Sequence, residues 1–289
     1  METRPLVVIV GPTASGKTSL AIDIAEELGG EIICADSRTV YKYMDIGTAK
    51  PNDEETGRVV HWGLDIVEPD VRFTVADFKD YANQKIAEIR SRGHVPILVG
   101  GTGLYVDAVI FDYSFGPIAD PVKREHYESM SLEQLHNYCI ENNIMLPENA
   151  KNKRYVIRAI ERQNTQDKRR TTPIDNTIIV GIATEREELY KRIEQRAHDI
   201  FAQEIMAEAQ FLADRYGWNH ESMTGNIYPL CKLYLDGEIT FDEALSQFVT
   251  LDRRLAKRQM TWLRRNPHIE WSPLSDAKKR IQSLLASEQ

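Results

Sequence analysis

The run Gly11-Pro12-Thr13-Ala14-Ser15-Gly16-Lys17-Thr18 has the composition and spacing of a phosphate-binding loop. In such a loop the backbone N–H groups of a Gly-rich turn, backed by the start of the next helix, cradle a pyrophosphate. Lys17 reaches the phosphate oxygens, and the Thr18 hydroxyl can hold Mg²⁺. A second cluster, Asp36-Ser37-Arg38-Thr39-Val40-Tyr41, supplies a carboxylate that could act as a general base or orient Mg²⁺ through water. Capping of the next helix is the alternative role for Asp36. A third, Gly100-Gly101-Thr102-Gly103-Leu104-Tyr105, permits close backbone approach to a ligand and offers the Thr102 hydroxyl, or simply makes a tight turn. P-loop ATPases usually end this strand with a Mg²⁺-holding Asp, so the glycines here count against a motor or regulatory NTPase. Arg192 and Arg196 share one face of a predicted helix with Glu194 turned away, and Arg196 is a candidate to stabilise a diphosphate, with a surface ion pair as the alternative.

These clusters need elements to place them. Leu6 to Val10 is an apolar run that reads as a buried strand, and residues 17–28 read as an amphipathic helix closed at Gly29-Gly30. A strand at 31–35, a helix at about 74–92 ended by Gly93, and a strand at 95–99 that tolerates Pro96 near its start continue a βαβ pattern. In parallel sheets ligands sit at the carboxyl ends of strands, which is where all three clusters fall. Between Asp112 and Pro173 the strand runs vanish and polar helices are expected around Glu125 to Met130, Leu132 to Asn142 and Lys153 to Arg162. A strand over Asn176 to Ile182 returns to the sheet, the remainder reads as helical through Leu263, and the polar C-terminal end is expected to fray. The expected fold is α/β, a P-loop NTPase-like parallel sheet covered by helices, with a helical insertion. Its expected divisions are 1–112 and 174–289 for the core and 113–173 for the insertion.

The chain has 289 residues, 42% hydrophobic and 28% charged, which suits an ordinary globular protein with two parts. No apolar run is long enough to cross a membrane and no leader pattern stands at the start, so a cytoplasmic place and no membrane partner are expected. Cys34, Cys139 and Cys231 lie far apart without metal-ligand spacing and read as small buried residues. A net charge of −8 argues against indiscriminate nucleic-acid binding. Local charge differs: Arg154, Arg158, Arg162, Lys168, Arg169 and Arg170 form one basic stretch, and Arg253, Arg254, Lys257, Arg258, Arg264 and Arg265 another. Each is either a nucleic-acid contact or a solvated helix face. Without a heptad seam or an apolar surface stripe, a monomer is expected.

Taken together, GPTASGKT at 11–18, Ala35-Asp36-Ser37, Met44-Asp45-Ile46-Gly47-Thr48-Ala49-Lys50-Pro51, Leu64 to Pro69, Ala76-Asp77-Phe78 and the Gly100 to Tyr105 run form an ordered set. With Arg154 to Glu161, Arg192-Ile193-Glu194-Gln195-Arg196 and Ala256 to Arg264, the set spans nearly the whole chain and resembles the bacterial tRNA dimethylallyltransferases, also called tRNA isopentenyltransferases. The resemblance implies transfer of a dimethylallyl group from dimethylallyl diphosphate to N6 of an adenine beside the anticodon of tRNA. On that reading the P-loop holds a diphosphate leaving group. Asp36, Thr102 and Arg196 match the family's catalytic residues, residues 11–18 its diphosphate site, and Thr18 a Mg²⁺ ligand. Asp36, Ser37, Arg38, Thr39, Thr102, Arg124, Lys153, Arg154 and Arg158 match positions where the family meets tRNA. The adenine must be turned out of its stack, so Tyr41, Tyr43 and Tyr105 are read either as channel walls or as core.

Some positions depart from the family. Thr39 stands where most members have Gln, His61-Trp62-Gly63 replaces a more usual pair of histidines or His-Arg, and Ile227-Tyr228-Pro229 replaces a Gly-Tyr-Lys/Arg segment, with Pro229 expected to disturb any helix begun earlier. The rivals are a small-molecule kinase, a prenyltransferase acting on free adenine nucleotides, and an RNA-binding protein with an idle P-loop. The basic helical insertion fits an extended RNA better than a kinase lid, and the presence of Lys17, Thr18, Asp36, Thr102 and Arg196 together disfavours an idle loop.

Overall fold

The computed structural model describes residues 4–115, 120–162 and 169–287. In chain order the first part contains β1 (Leu6–Val10), α1 (Lys17–Leu28), β2 (Gly30–Cys34), α2 (Asp53–Arg58), β3 (His61–Trp62), α3 (Val75–Ser91), β4 (Val95–Gly100) and α4 (Gly103–Ile110). Then come α5 (Pro121–Ser129), α6 (Leu132–Glu141) and α7 (Lys153–Arg162). The last part runs β5 (Thr177–Ala183), α8 (Arg186–Phe201), α9 (Ile205–Tyr216), a 3-10 turn at Ser222–Thr224, α10 (Tyr228–Leu235), α11 (Phe241–Leu263), β6 (Glu270–Pro273) and α12 (Leu274–Ser287).

The strands form one parallel sheet in the order β3-β2-β4-β1-β5-β6. This is a P-loop NTPase-like core, and β1 sits inside it because all of its residues are apolar and buried. Alternation along the strand sends Leu6, Val8 and Val10 to a cluster with Phe78, Ile89 and Val109 on one face, and Val7 and Ile9 to a cluster with Ile22, Ile24 and Ile281 on the other. Helices therefore cover both faces, as a parallel sheet requires. Several helices start where the sequence carries reciprocal caps, with Thr74 and Asp77 opening α3 and Thr240 and Glu243 opening α11.

Two compact units result, Met1–Phe111 with Thr172–Gln289, and Asp112–Thr171. Within the second, α5, α6 and α7 close around Tyr127, Leu135, Cys139, Val156, Ile157 and Ile160.

The C-terminal end departs from expectation. It does not fray: Ala277 and Ile281 of α12 are buried in the sheet core, with Leu274, Leu284 and Leu285 packed on it. Helical spacing of these apolar residues supplies a buried stripe within a polar sequence. Beyond Leu263, where the sequence reading assigned no strand, β6 extends the sheet beside β5. Both β3 and β6 are short edge strands with little apolar pattern. Pro229 does not break a helix but lies in the first turn of α10, where its missing N–H costs nothing. Cys139 and Cys231 are buried and Cys34 is half-buried.

The His61-Trp62 departure has a structural role at the amino end of the sheet. The Glu31 carboxylate accepts from Trp62 Nε1 at 2.7 Å, Arg92 Nη2 at 2.7 Å and His94 Nδ1 at 2.7 Å, with its side chain 5% exposed. Burial alone would raise its pKa, but the hydrogen bonds from Arg92, Trp62 and His94 win and hold it at about 2. A carboxyl held below its unfolded value stabilises the fold above that unfolded value, and the gain is lost as pH falls toward 2. We expect Glu31→Gln to lower stability at pH 7 by about 3 kcal/mol and to flatten its fall below pH 4.5, as measured by urea unfolding across pH.

Candidate active site

Because β4 pairs with both β1 and β2, the carboxyl ends of these three strands lie side by side and bring their following loops together. The first loop enters α1 through Gly16, at φ 85°, a left-handed position suited to glycine. No side chain caps α1, so the N–H groups of its first turn stay available to an anion. The Ser15 hydroxyl is buried without a partner among the described residues. Lys17 Nζ lies 3.2 Å from the Pro12 carbonyl oxygen. Burial pushes its ammonium down to about 8, Arg196 adds to this, and Asp36 and Cys34 oppose it.

Two helices from the far end of the chain brace this loop. From α8, Arg196 Nη1 donates to the Thr13 hydroxyl and Nη2 to the Thr48 carbonyl at 3.3 Å. Arg192 reaches the Ser15 carbonyl at 3.5 Å, while Glu194 turns away to Arg253 at 3.1 Å. From α11, Gln259 Oε1 accepts the Thr13 N–H at 2.8 Å. A side chain of α12 adds a third support, because a Cβ on Gly16 would come within 2.7 Å of Leu274 Cδ2.

The second loop carries Asp36, whose Oδ1 accepts the Arg38 N–H at 2.8 Å. No helix follows, so the helix-capping alternative is ruled out: residues 37–40 are a turn that the carboxylate closes locally. The Ser37 N–H donates to Thr102 Oγ1 at 3.2 Å, which ties the second loop to the third and leaves the Thr102 hydroxyl hydrogen to be donated elsewhere. The glycines of the third loop are needed for protein contacts. A Cβ on Gly100 would come within 2.1 Å of the Ala35 carbonyl oxygen, one on Gly101 within 2.6 Å of Gln259 Nε2, and one on Gly103 within 2.1 Å of Trp262 Cδ1. Trp262 is fixed in turn by a 2.7 Å bond to Asp107.

The structure thus gathers Gly11 to Thr18, Asp36, Ser37, Thr102 and Arg196. Arg38 is engaged otherwise: its guanidinium donates to the Glu221 carbonyl at 2.6 Å and the Thr224 hydroxyl at 3.1 Å. Thr39 is buried, and its hydroxyl has no partner among the described residues. Tyr41 and Tyr105 are core residues, Tyr105 stacking on Phe78 at 4.3 Å, whereas Tyr43 is exposed. In the helical unit, Arg124 pairs with Glu161 at 2.8 Å and Glu128 at 2.9 Å, Arg158 pairs with Glu161 at 3.2 Å, and Lys153 donates to the Glu128 carbonyl at 2.6 Å. Arg154 is exposed on α7, and Lys168 lies outside the described residues.

Sequence reasoning missed Gln259, Trp262 and Asp252. Asp252 is 5% exposed on α11 and accepts from Asn226 at 2.9 Å. Its carboxyl is raised by burial, against the pull of Arg196, Asn226 and Arg258. The signal was present as polar residues set within the buried stripe of Phe248, Ala256 and Leu263.

Two outcomes follow from this geometry. Gly103→Ala should force Trp262 off Asp107 and lower stability by about 1–3 kcal/mol, read from thermal or urea unfolding. Inorganic diphosphate should restore the full charge of Lys17 on binding, so the complex takes up a proton near pH 8 to 9 and affinity falls as pH rises above about 8. Calorimetry in buffers of different ionisation heat measures the uptake, and the same titration of Lys17→Met, which lacks this step, separates it from the ligand's own ionisation.

A model of the IPP transferase family matches residues 39–266. A tRNA dimethylallyltransferase of Bacillus cereus is 37% identical, covering 98% of this chain and 94% of its own length. One from Bacillus licheniformis is 39% identical over 92% of this chain and 90% of its own. The crystal structure of the full-length tRNA isopentenylpyrophosphate transferase of Bacillus halodurans aligns with a TM-score of 0.76 at 37% identity, covering 99% of this chain and 96% of that one. With a match over most of its length to the family model, and to relatives end to end, the chain belongs to the IPP transferase family.

Proposed function

We propose that this protein transfers a dimethylallyl group from dimethylallyl diphosphate to N6 of the adenine on the 3′ side of the anticodon in tRNA, releasing diphosphate. The observation that carries the reading is that the phosphate loop stands beside Asp36 and Thr102: Lys17 feels the Asp36 charge, a Cβ on Gly101 would come within 3.0 Å of the Gly11 carbonyl oxygen, and the Ser37 N–H donates to Thr102 Oγ1. The names of its relatives, tRNA dimethylallyltransferase and tRNA isopentenylpyrophosphate transferase, support the same substrate.

Cleavage of the allylic C–O bond leaves an allyl cation and a diphosphate of growing negative charge. Donors fixed beforehand stabilise that charge without reorganising during the reaction. The first-turn N–H groups of α1, Lys17, Arg196, Thr102 and the orphaned Ser15 hydroxyl are the donors available here. The donor set also fits Mg²⁺, which prefers a few protein oxygens together with phosphate oxygens and water. Thr18 would hold the ion, and the ion would supply further charge neutralisation on the leaving group. Asp36 uses Oδ1 for the Arg38 N–H, which sets Oδ2 to accept from the adenine amino group. A neutral exocyclic amine is a weak nucleophile, so this orientation places its lone pair toward the allylic carbon and receives the proton as the N–C bond forms.

Binding tRNA with a protein of net charge −8 requires cations that remain unneutralised locally. On α11 Arg254, Lys257 and Arg258, and directly after it Arg264 and Arg265, make no salt bridge among the described residues. Lys257, Arg258, Thr261, Trp262 and Arg265 line a pocket of about 290 Å³. These residues are the proposed phosphate contacts; on the helical unit Lys153, Arg154, and Arg124 and Arg158, whose guanidinium groups share Glu161, are proposed as further tRNA contacts, with Asp36, Ser37, Arg38, Thr39 and Thr102 meeting the turned-out nucleotide. Within this role Arg38 acts through the 221–224 segment that it holds. A monomer is the proposed acting unit.

The test is incubation with Mg²⁺, radiolabelled dimethylallyl diphosphate and either unmodified tRNA or AMP. Label should enter tRNA and not AMP, and Asp36→Ala should slow transfer by about 10²- to 10⁴-fold without loss of folded structure. Label in AMP would move the assignment to nucleotide prenyl transfer, and no label in either would remove the prenyltransferase reading.

A further inference from the structure

The loop after β2 carries an aromatic side chain that the diphosphate site does not use. Tyr43 has φ 64°, in the left-handed region where a bulky residue is a strained occupant, and it is 38% exposed. Its neighbours Tyr41 and Met44 point into the core below. The following segment is held firmly: the Glu208 carboxylate accepts the N–H groups of Asp45 at 2.9 Å, Ile46 at 2.7 Å and Gly47 at 2.9 Å, and also the Tyr228 hydroxyl at 2.9 Å. Lys50 binds the Tyr41 carbonyl at 3.0 Å and the Asp65 carboxylate at 2.7 Å. Strain at Tyr43 is thus maintained by the frame beneath it, and its effect is to present the ring to solvent.

Other groups complete a surface around that ring. Phe211 of α9, 45% exposed, meets it edge-on with centroids 5.7 Å apart. The Arg215 guanidinium lies 4.9 Å from the Tyr43 ring and 5.2 Å from that of Tyr216. Lys42 pairs with Glu68 at 2.8 Å, and Arg215 stands 4.0 Å from the same carboxylate, so two cations share one anion. Two exposed rings and a guanidinium on a rigid frame have the chemistry of a base-stacking platform. The apolar area is small and rimmed by charge, and it lies on the loop that begins at Asp36, seven residues before Tyr43. Such a surface favours a single nucleobase over a protein face.

We infer that Tyr43, Phe211 and Arg215 stack an unpaired base of the same tRNA loop whose adenine turns toward Asp36. This rests on the tRNA reading of the site. Unpaired loop bases are the part of RNA that offers free π-faces, and aromatic and Arg side chains are the groups that take them.

Tyr43→Gly is an informative test because glycine accepts the left-handed conformation. Its melting temperature should equal or exceed that of the unaltered chain, while the dissociation constant for an unmodified anticodon stem-loop and the tRNA KM should rise by about tenfold. The KM for dimethylallyl diphosphate should be unaffected, and Tyr43→Phe should keep the unaltered tRNA affinity. Unchanged tRNA affinity in Tyr43→Gly, or an equal loss in Tyr43→Phe, would overturn the platform while leaving tRNA prenylation standing. Failure of the unaltered chain to bind the stem-loop would overturn both.

Discussion

Thr13 is held from two directions, and the cradle depends on it. The phosphate loop is made of small residues that pack little surface of their own, so its ordering has to be supplied from outside. Gln259 takes the Thr13 N–H from α11, and Arg196 reaches its hydroxyl from α8. A brace of this kind sets the amide donors in place before a ligand arrives, the condition under which hydrogen bonds lower a reaction barrier most. The bare glycines of the third loop serve the same end. Space at Gly101 and Gly103 is what admits Gln259 and Trp262, and so lets α11 come close enough to reach Thr13.

The two faces of α11 divide the electrostatic work. Inward, Asp252 and Gln259 are polar groups with named partners. Outward, Arg254, Lys257 and Arg258, followed by Arg264 and Arg265, make no salt bridge among the described residues, although Arg253 of the same helix pairs with Glu194. Elsewhere a number of cations are neutralised where they stand, as at Arg58 with Glu26 and Arg92 with Glu31. Overall charge therefore says little about this surface, because screening limits what distant carboxylates contribute.

Much of the core was legible in the residues because its signals are local. An all-apolar β1, a Gly-rich turn and an amphipathic α1 announce themselves within a single stretch, and the capping pair Thr74 and Asp77 marks the start of α3. What escaped was set by long-range contact. Strands β3 and β6 exist through their neighbours rather than their own pattern, and α12 is polar except for the stripe that finds the sheet. Within the site, Asp36, Thr102 and Arg196 follow recognisable motifs, whereas Gln259 and Asp252 are meaningful only once α11 is seen to lie against them. Trp62 looked like a departure in tRNA selection, yet it is a hydrogen-bond donor to Glu31 at the opposite end of the strand. Tyr43 could not be told from a core aromatic without its backbone angle.

The spacing of these braces along the chain bears on how the protein is made. Residues 11–18 leave the ribosome before the side chains that fix them, which sit at positions 196, 259 and 274. Until those positions emerge, the phosphate loop exists without its supports. A growing chain has the motif before it has the contacts that order the motif. The order of the loop is therefore completed by α8, α11 and α12, elements made after the strand that leads into it.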